Sequence, residues 1–214
     1  MKGIMKIILA FVVLVFSQMS LQASAQSITE GQEYQIIRAQ SDQGNVVQVY
    51  DFFSYACGHC YEFKPLIGAW AENVPDGVQF NHMPAVFNER MVPLAKLFFT
   101  IEEMKLMDTV HHQVYEAIHE KRINLLTEKQ ILSWAGKNKS INFGNFEKLY
   151  KSFSIDSKVK KAAQLTRAYR IPGTPYVTVK GKYITGPSMV LSPEGGSVDP
   201  ARFVATLNYL IEKN

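Results

Sequence analysis

The sequence predicts an α/β fold in which one sheet is interrupted by an inserted block of helices. Two observations predict this class. Short segments rich in β-branched and aromatic residues occur near both ends of the chain, whereas apolar residues at helical spacing fill the stretch between them. The chain has 214 residues, of which 47% are hydrophobic and 20% are charged, so it can bury one sizeable core.

The first 25 residues have the features of a cleavable export signal. Lys2 and Lys6 give a positive start, residues 7–16 form an uncharged apolar run, and Ala23–Ala25 offers small residues at a cleavage site. The run is shorter than the roughly 20 apolar residues of a membrane-spanning helix, which argues against an uncleaved anchor. We therefore expect a soluble mature protein in an oxidising compartment, where disulfides persist.

The distribution of charge does not indicate a nucleic-acid partner. The formal net charge is +4, and residues 1–25 hold two lysines and no acid, so the signal carries half of it. The remaining charges are mixed along the chain. The group of Lys158, Lys160 and Lys161 lies on a predicted helix and is interpreted as a solvated face.

Three strands and one helix are predicted in the first part of the chain. Tyr34–Ile37 and Val46–Tyr50 are rich in β-branched or aromatic residues, and turn-forming residues 41–45 separate them. Val78–Met83 alternates between apolar and polar side chains, as a half-buried strand does. Between the second and third strands, a helix is expected to start at the cysteine motif and to include Pro65. Its apolar face consists of Phe63, Leu66, Ile67 and Trp70.

Helical spacing dominates residues 88–157, which we predict to be an inserted helical domain. Thr127 to Gln130 has the pattern of a capping box at the start of one helix. Asp156 is predicted to cap a later helix that ends near Pro172. The apolar positions expected to face the core are Leu94, Leu97, Phe98, Ile101, Met104, Val110, Val114, Tyr115, Ile118, Phe143, Phe146, Leu149, Tyr150 and Phe153.

Strand character returns at Tyr176–Val179, and Gly181 permits a turn into a short second strand. Asp199-Pro200 then opens a last helix, with proline at the favoured first position. The predicted order is β-β-α-β, a block of helices, and β-β-α. We therefore expect residues 26–87 and 158–214 to form two parts of one domain whose strands pair across the insert.

The chain contains two cysteines, in the motif Cys57-Gly58-His59-Cys60. A structural staple is a weak interpretation, because closing a loop of two residues removes little freedom from the unfolded chain. A zinc site commonly needs a second cysteine or histidine pair, so no metal is expected here. The remaining histidines, His82, His111, His112 and His119, are interpreted as surface or edge residues.

The spacing instead favours a redox pair at the start of a helix. Cys57 would sit at the helix N-terminus, where free N–H groups and the helix dipole favour a thiolate. His59 would add to this effect if it is protonated or donates a hydrogen bond. Cys60, one turn further on, would be more buried and could resolve a mixed disulfide.

The segment Asp51–Cys60 resembles the active-site segment of DsbA-like proteins of the thioredoxin superfamily. Gly173–Val177, followed by Lys180–Tyr183, resembles the cis-proline loop of that family and its next hairpin. The insert fits the DsbA-like branch, and the order of elements matches over essentially the whole mature chain. The resemblance implies a thioredoxin fold with an inserted α-helical domain.

The resemblance also implies a function and roles for residues. The protein would be a periplasmic thiol–disulfide oxidoreductase that introduces disulfides into newly exported, unfolded or extended proteins. It would need no cofactor beyond its own disulfide, and a quinone-linked membrane oxidase of the DsbB kind would reoxidise it. Cys57 would attack and Cys60 would resolve. Pro175 would follow a cis bond, so that Thr174 and the adjoining Gly173 lie beside the sulfurs and bind the substrate.

Asp51, six residues before Cys57, matches a buried acid that the family often carries. The apolar flanks of Asp51 favour burial, and such a carboxyl can take the proton of the resolving thiol and relay it. The Gly58-His59 dipeptide departs from the Pro-His of the best-known members and suggests a milder oxidant.

Three other functions remain open at this point: a disulfide isomerase or reductase, a peptide-binding chaperone and a metal carrier. Dedicated isomerases of the superfamily usually have an N-terminal dimerisation domain. Residues 26–33 leave no room for such a domain, so an oxidase and a monomer are expected.

Overall fold

The computed structural model describes residues 27–37, 46–193 and 195–213. The predicted signal at residues 1–25 and the predicted turn at residues 41–45 lie outside the described residues. Five strands in the described part form one mixed sheet in the order β1-β5-β4-β2-β3. Their bounds are Gln35–Ile36 for β1, Val47–Phe53 for β2, Val78–Pro84 for β3, Tyr176–Val179 for β4 and Tyr183–Thr185 for β5.

Seven α-helices accompany the sheet in these ranges. They are α1 (Gly58–Ala71), α2 (Val92–Glu103), α3 (His112–His119), α4 (Glu128–Ala135), α5 (Phe143–Tyr150), α6 (Phe153–Ala168) and α7 (Pro200–Glu212). Single 3₁₀ turns lie at Glu89–Met91 and Pro187–Met189, and a π-helical turn at Met107–His111 leads into α3. None of the described helices is long and apolar enough to cross a membrane.

The two parts of the sheet pair across the insert, as the sequence predicts. The central strand β2 runs parallel to β3 and antiparallel to β4. Helices α2 to α6 all lie between β3 and β4 in the chain. The predicted end of the insert, residue 157, falls inside α6, so this helix continues unbroken from the insert towards β4. The domain boundaries themselves stay a prediction.

Both faces of the sheet are buried. Val49 of β2 and Val177 of β4 lie on one face, against α1 and α7. Phe52 of β2 lies on the other face, in a second core to which the inserted helices also contribute buried side chains. The α1 and α7 side chains in the first core are Phe63, Ile67, Trp70, Phe203, Leu207 and Leu210, and Leu66 packs against them, which confirms the predicted apolar face of α1.

Helix caps in the insert differ partly from the prediction. The capping box is confirmed, because the Thr127 hydroxyl accepts the N–H of Gln130 and the Gln130 side chain binds the Thr127 N–H. The predicted cap at Asp156 is wrong. Helix α6 begins earlier, and the Ser152 side chain accepts the N–H of Ile155 at 3.3 Å. Asp156 instead lies in the first turn, where its carboxylate pairs with Lys96.

Phe153 also departs from its predicted place in an apolar helical face. It is the first residue of α6 rather than the last of α5, and 79% of its surface is exposed. The helical spacing of the aromatic residues continues through a break between two helices, which the pattern alone could not locate. Helix α6 then ends at Ala168, earlier than Pro172, and Arg170 adopts a left-handed conformation with φ 50°.

Candidate active site

The cysteine motif lies where β2 passes into α1. The Cys57 N–H donates to the Ser54 carbonyl at 3.1 Å, and the Ala56 N–H donates to the Ser54 hydroxyl at 3.3 Å. This turn leaves Cys57 as the N-cap of α1, with φ −89° and ψ 118°. The structure thus places the Cys57 sulfur beside the free N–H groups of a helix N-terminus, as predicted.

The two thiols differ in exposure. Cys57 is half-buried, whereas Cys60 is only 3% exposed, and both are free thiols in this structure. In its protonated form the Cys57 sulfur donates to the Thr174 carbonyl oxygen at 3.3 Å. An incoming thiolate can therefore reach Cys57, while Cys60 is shielded.

The Thr174–Pro175 peptide bond is cis, as predicted, and brings this loop onto the motif from the second part of the chain. Gly186 packs closely against the loop, where a side chain would crowd its neighbours. A Cβ atom there would lie 3.1 Å from the Pro175 carbonyl oxygen and 3.1 Å from the Tyr176 ring. Gly173 and Thr174 are both partly buried beside Pro175.

The surroundings shift the pKa values of the two thiols in opposite directions. The hydrogen bond from the Cys60 thiol lowers the pKa of Cys57 from an ordinary 9.0 to about 5, although partial burial opposes this. The Thr174 side chain and the N–H groups of Cys60 and His59 lower it further. The same hydrogen bond and burial raise the pKa of Cys60 far above its ordinary value. The site therefore holds one thiolate and one thiol near neutral pH.

His59 contributes through its backbone. Its N–H is one of the groups that lower the pKa of Cys57, while its side chain is exposed. A role for the imidazole itself stays a prediction.

Asp51 is buried, as its apolar flanks predict, with 4% of its surface exposed. Its Oδ2 lies 2.9 Å from Nδ1 of His82, and its Oδ1 is buried without a hydrogen-bond partner in the described part of the chain. Asp51, Cys60 and His82 line one small cavity, about the size of a water molecule, together with Lys64 and His111. The structure thus brings the predicted acid and the resolving thiol to the same cavity.

Three histidines interpreted as surface or edge residues instead lie close to the motif. His82 is opposite Asp51 in the parallel pairing of β2 with β3. Nδ1 of His111 lies 2.8 Å from the Tyr55 hydroxyl, and His119 binds the Tyr55 carbonyl. The order of the predicted strands could have indicated His82, because Asp51 directly follows one predicted strand and His82 lies on the next one. No sequence signal indicated the other two.

Burial lowers the pKa of His111 to about 3, with the neighbouring His82 as a second cause. His111 is therefore neutral at physiological pH. No group of three or more histidine, cysteine or acidic side chains in the described ranges is arranged to hold a metal ion.

The lowered pKa of Cys57 makes a prediction about stability. The folded reduced protein keeps a thiolate above about pH 5, whereas the unfolded chain keeps a thiol up to its ordinary value of 9.0. Between these values the unfolded state binds more protons, so the stability of the reduced protein rises with pH. The oxidised protein has no thiol to titrate. We expect thermal melts to show a growing advantage of the reduced over the oxidised form from pH 5 to 8. Melting curves that stay parallel over this range would contradict the thiolate.

The motif and the fold agree with known proteins. The profile of the family described as DSBA-like thioredoxin domain matches residues 48–191. The chain is 32% identical over 209 residues to the thiol:disulfide interchange protein DsbA of Pseudomonas aeruginosa, covering 97% of this chain and 95% of that protein. It is 33% identical over 180 residues to the protein of the same name from Burkholderia cepacia, with 81% and 83% covered.

Solved structures give the same result. The crystal structure of Pseudomonas aeruginosa DsbA superposes with a TM-score of 0.78 at 32% identity, covering 88% of this chain and 95% of that chain. The oxidoreductase NmDsbA1 from Neisseria meningitidis, at 24% identity, shares the fold with a TM-score of 0.74 over 86% of this chain and 93% of that chain. The predicted thioredoxin fold with an inserted helical domain is confirmed, and so is the predicted activity of a disulfide-forming thiol–disulfide oxidoreductase. The chain belongs to the DSBA-like thioredoxin domain family.

Proposed function

We propose that this protein introduces disulfides into newly exported proteins in the periplasm, with Cys57 as the sulfur that clients attack and Cys60 as the buried partner. One observation carries the proposal: the two thiols lie at the N-terminus of α1, and their pKa values are shifted in opposite directions, down for Cys57 and up for Cys60. The pKa of Cys57 is about 5, so Cys57 is a good leaving group. Burial and the bond to Cys57 keep Cys60 protonated, because its pKa is raised.

The reaction balances as a dithiol–disulfide exchange. A client thiolate attacks the Cys57 sulfur of the oxidised protein, the Cys57–Cys60 bond breaks, and Cys60 leaves as a thiolate that takes up a proton. A second client thiolate then attacks the client sulfur of the mixed disulfide. Cys57 leaves as a thiolate, and the client has been oxidised by two electrons. The cysteine pair carries these electrons, so no further cofactor is required.

Proton transfer to and from Cys60 is the task we assign to Asp51. The carboxyl faces the same cavity as the thiol, and its Oδ1 is free of other hydrogen bonds in the described residues. His82 binds the other carboxylate oxygen and also lines an outward-facing groove with Gln48 and Asn81. A proton could pass from Cys60 through Asp51 to His82 and so to solvent.

The loop of Gly173, Thr174 and Pro175 is the proposed client-binding surface. The Thr174 carbonyl already bonds to the Cys57 sulfur at 3.3 Å, so an extended client segment that pairs with this loop would bring its cysteine to Cys57. Such pairing uses backbone groups and is tolerant of sequence, which suits an enzyme with many clients.

The reduced protein must be reoxidised after each turnover. A quinone-linked membrane oxidase of the DsbB kind is the proposed electron acceptor, and its disulfide would be attacked by the Cys57 thiolate. Membership of the DSBA-like family supports this assignment and a periplasmic location. We propose that the protein acts as a monomer.

Titration against glutathione buffers tests the direction of the reaction. The mature protein is equilibrated at a series of glutathione ratios, and the fraction of free Cys57 and Cys60 thiols is measured after alkylation. We expect a midpoint at or above about −180 mV, the region of protein disulfide isomerase. A midpoint near about −270 mV, the region of thioredoxin, would make the protein a reductase and contradict the proposal.

A further inference from the structure

One side chain of the insert contacts the redox motif on both sides. His119 is the last residue of α3, and its Nε2 lies 2.8 Å from the carbonyl oxygen of Tyr55. Its ring also stacks on Tyr61, with centroids 5.1 Å apart and planes 7° from parallel. Tyr55 lies two residues before Cys57, and Tyr61 directly follows Cys60. A single imidazole therefore brackets the four residues of the motif.

The Tyr55 contact fixes the turn that precedes Cys57. Tyr55 is 1% exposed and packs edge-on against Phe53 and Tyr115, with centroids 5.2 and 5.0 Å away. Its hydroxyl bonds to Nδ1 of His111 at 2.8 Å, so two histidines of the insert hold this one residue. The Tyr55 carbonyl can only accept, and Nε2 of His119 must therefore carry the hydrogen. This bond persists whether the ring is neutral or protonated.

The Tyr61 contact fixes the first turn of α1. The Tyr61 N–H donates to the Cys57 carbonyl at 3.2 Å, so Tyr61 belongs to the helical turn that starts at the reactive cysteine. Its hydroxyl donates to the carboxylate of Glu120, the residue after His119. Residues at the C-terminal end of α3 thus hold Tyr61 by two contacts: His119 stacks on the face of its ring, and Glu120 accepts a hydrogen bond from its hydroxyl.

We propose that His119 is a positioning residue of the redox reaction, through which the insert holds Cys57 in line with the helix N-terminus. The inference rests on the proposed function of the Cys57–Cys60 pair. The thiolate is stabilised by N–H groups and by the Cys60 thiol, and these bonds weaken steeply when their geometry is lost. Release of the turn before Cys57 and of the helical turn after it would misalign both. The contact between insert and motif then sets how strongly oxidising the pair is.

Three variants separate the two contacts of His119. His119→Ala removes both, His119→Phe keeps an aromatic ring against Tyr61, and His119→Gln keeps a donor for the Tyr55 carbonyl. His112→Ala is the matched control, because His112 lies on the same helix, is half exposed and pairs only with Glu116 of α3 among the described ion pairs. Each variant is titrated against glutathione, and the pH midpoint of Cys57 is followed by thiolate absorbance. Thermal melts monitor folding separately.

We expect His119→Ala to raise the absorbance midpoint by about one pH unit and to lower the equilibrium constant for reduction by glutathione about tenfold. His119→Gln should recover most of this loss, His119→Phe less, and His112→Ala should match the native protein. If His119→Ala does not fold, the comparison of the other two variants tests the inference: His119→Gln should have a lower absorbance midpoint of Cys57 than His119→Phe.

Equal midpoints and equilibrium constants in all folded variants, with only lower melting temperatures, would overturn the inference. So would an equal shift in His112→Ala. A native protein that never exchanges with glutathione would instead contradict the proposed function, which keeps the two failures distinct.

Discussion

Replacing Cys57 with serine is expected to reduce disulfide exchange to the rate seen without the protein. Serine has no sulfur to form the mixed disulfide, and Cys60 cannot substitute for it, because Cys60 is only 3% exposed and its burial disfavours the thiolate. The complementary change, Cys60→Ser, should leave a protein whose Cys57 thiolate attacks a client disulfide and releases one client thiolate, and the resulting mixed disulfide has no Cys60 to resolve it. Oxidation of a reduced client peptide measures the first effect.

The two serine variants control for each other, because each keeps one sulfur in the same fold. After incubation with a client peptide that contains a disulfide, gel electrophoresis without reductant should show adducts that accumulate in Cys60→Ser and are absent in Cys57→Ser. Adducts of equal amount in both variants would mean that Cys60 is accessible, and the assigned roles would then be wrong. Far-ultraviolet circular dichroism establishes that both variants fold.

Replacing Asp51 with asparagine is expected to slow the steps that move a proton at Cys60 about 10²-fold near neutral pH, the lower part of the range for general acid–base catalysis. Asparagine preserves the shape of the side chain and the contact with His82, but it cannot take a proton from the thiol. Stopped-flow resolution of a mixed disulfide between Cys57 and glutathione measures this step. The rate should recover at higher pH, where hydroxide can deprotonate Cys60 directly.

Glu33→Gln offers a matched control for this experiment. Glu33 is also a buried acid, but it pairs with Arg202 on α7, outside the cavity at Cys60. Its loss should lower stability without changing the pH profile of resolution. A resolution rate in Asp51→Asn within twofold of the native rate from pH 6 to 8 would exclude Asp51 from proton transfer.

Local rules explain what could be predicted from the sequence. The cysteine spacing placed Cys57 at a helix start, and the Thr127 capping box was readable from two side chains three residues apart. Strand-like segments near both ends of the chain, together with helical spacing in the middle segment, predicted that a block of helices is inserted into the sheet domain. The cis bond before Pro175 was predictable only through the resemblance, because most bonds before proline are trans.

The remainder of the site depends on register and on a helical irregularity. His82 meets Asp51 because β3 pairs with β2 in one specific register, and a shift by one residue would turn the imidazole to the other face. His111 ends a π-helical turn, which alters the direction of its side chain relative to a regular helix. Neither feature follows from the periodicity of apolar residues, so both histidines were interpreted as peripheral.

The pairing of β2 with β4 also decides when the reactive cysteine acquires its environment during folding. Val49 pairs with Val179, and the Thr174 carbonyl reaches Cys57 from the same late part of the chain. A chain that emerges from a membrane with its N-terminus first has both cysteines outside long before β4 arrives. Contacts between residues so distant in sequence form slowly. If the chain is exported in this way, as we propose, its two cysteines remain ordinary thiols until β4 has paired with β2, and the oxidising partner of the folded protein can reach them during that period.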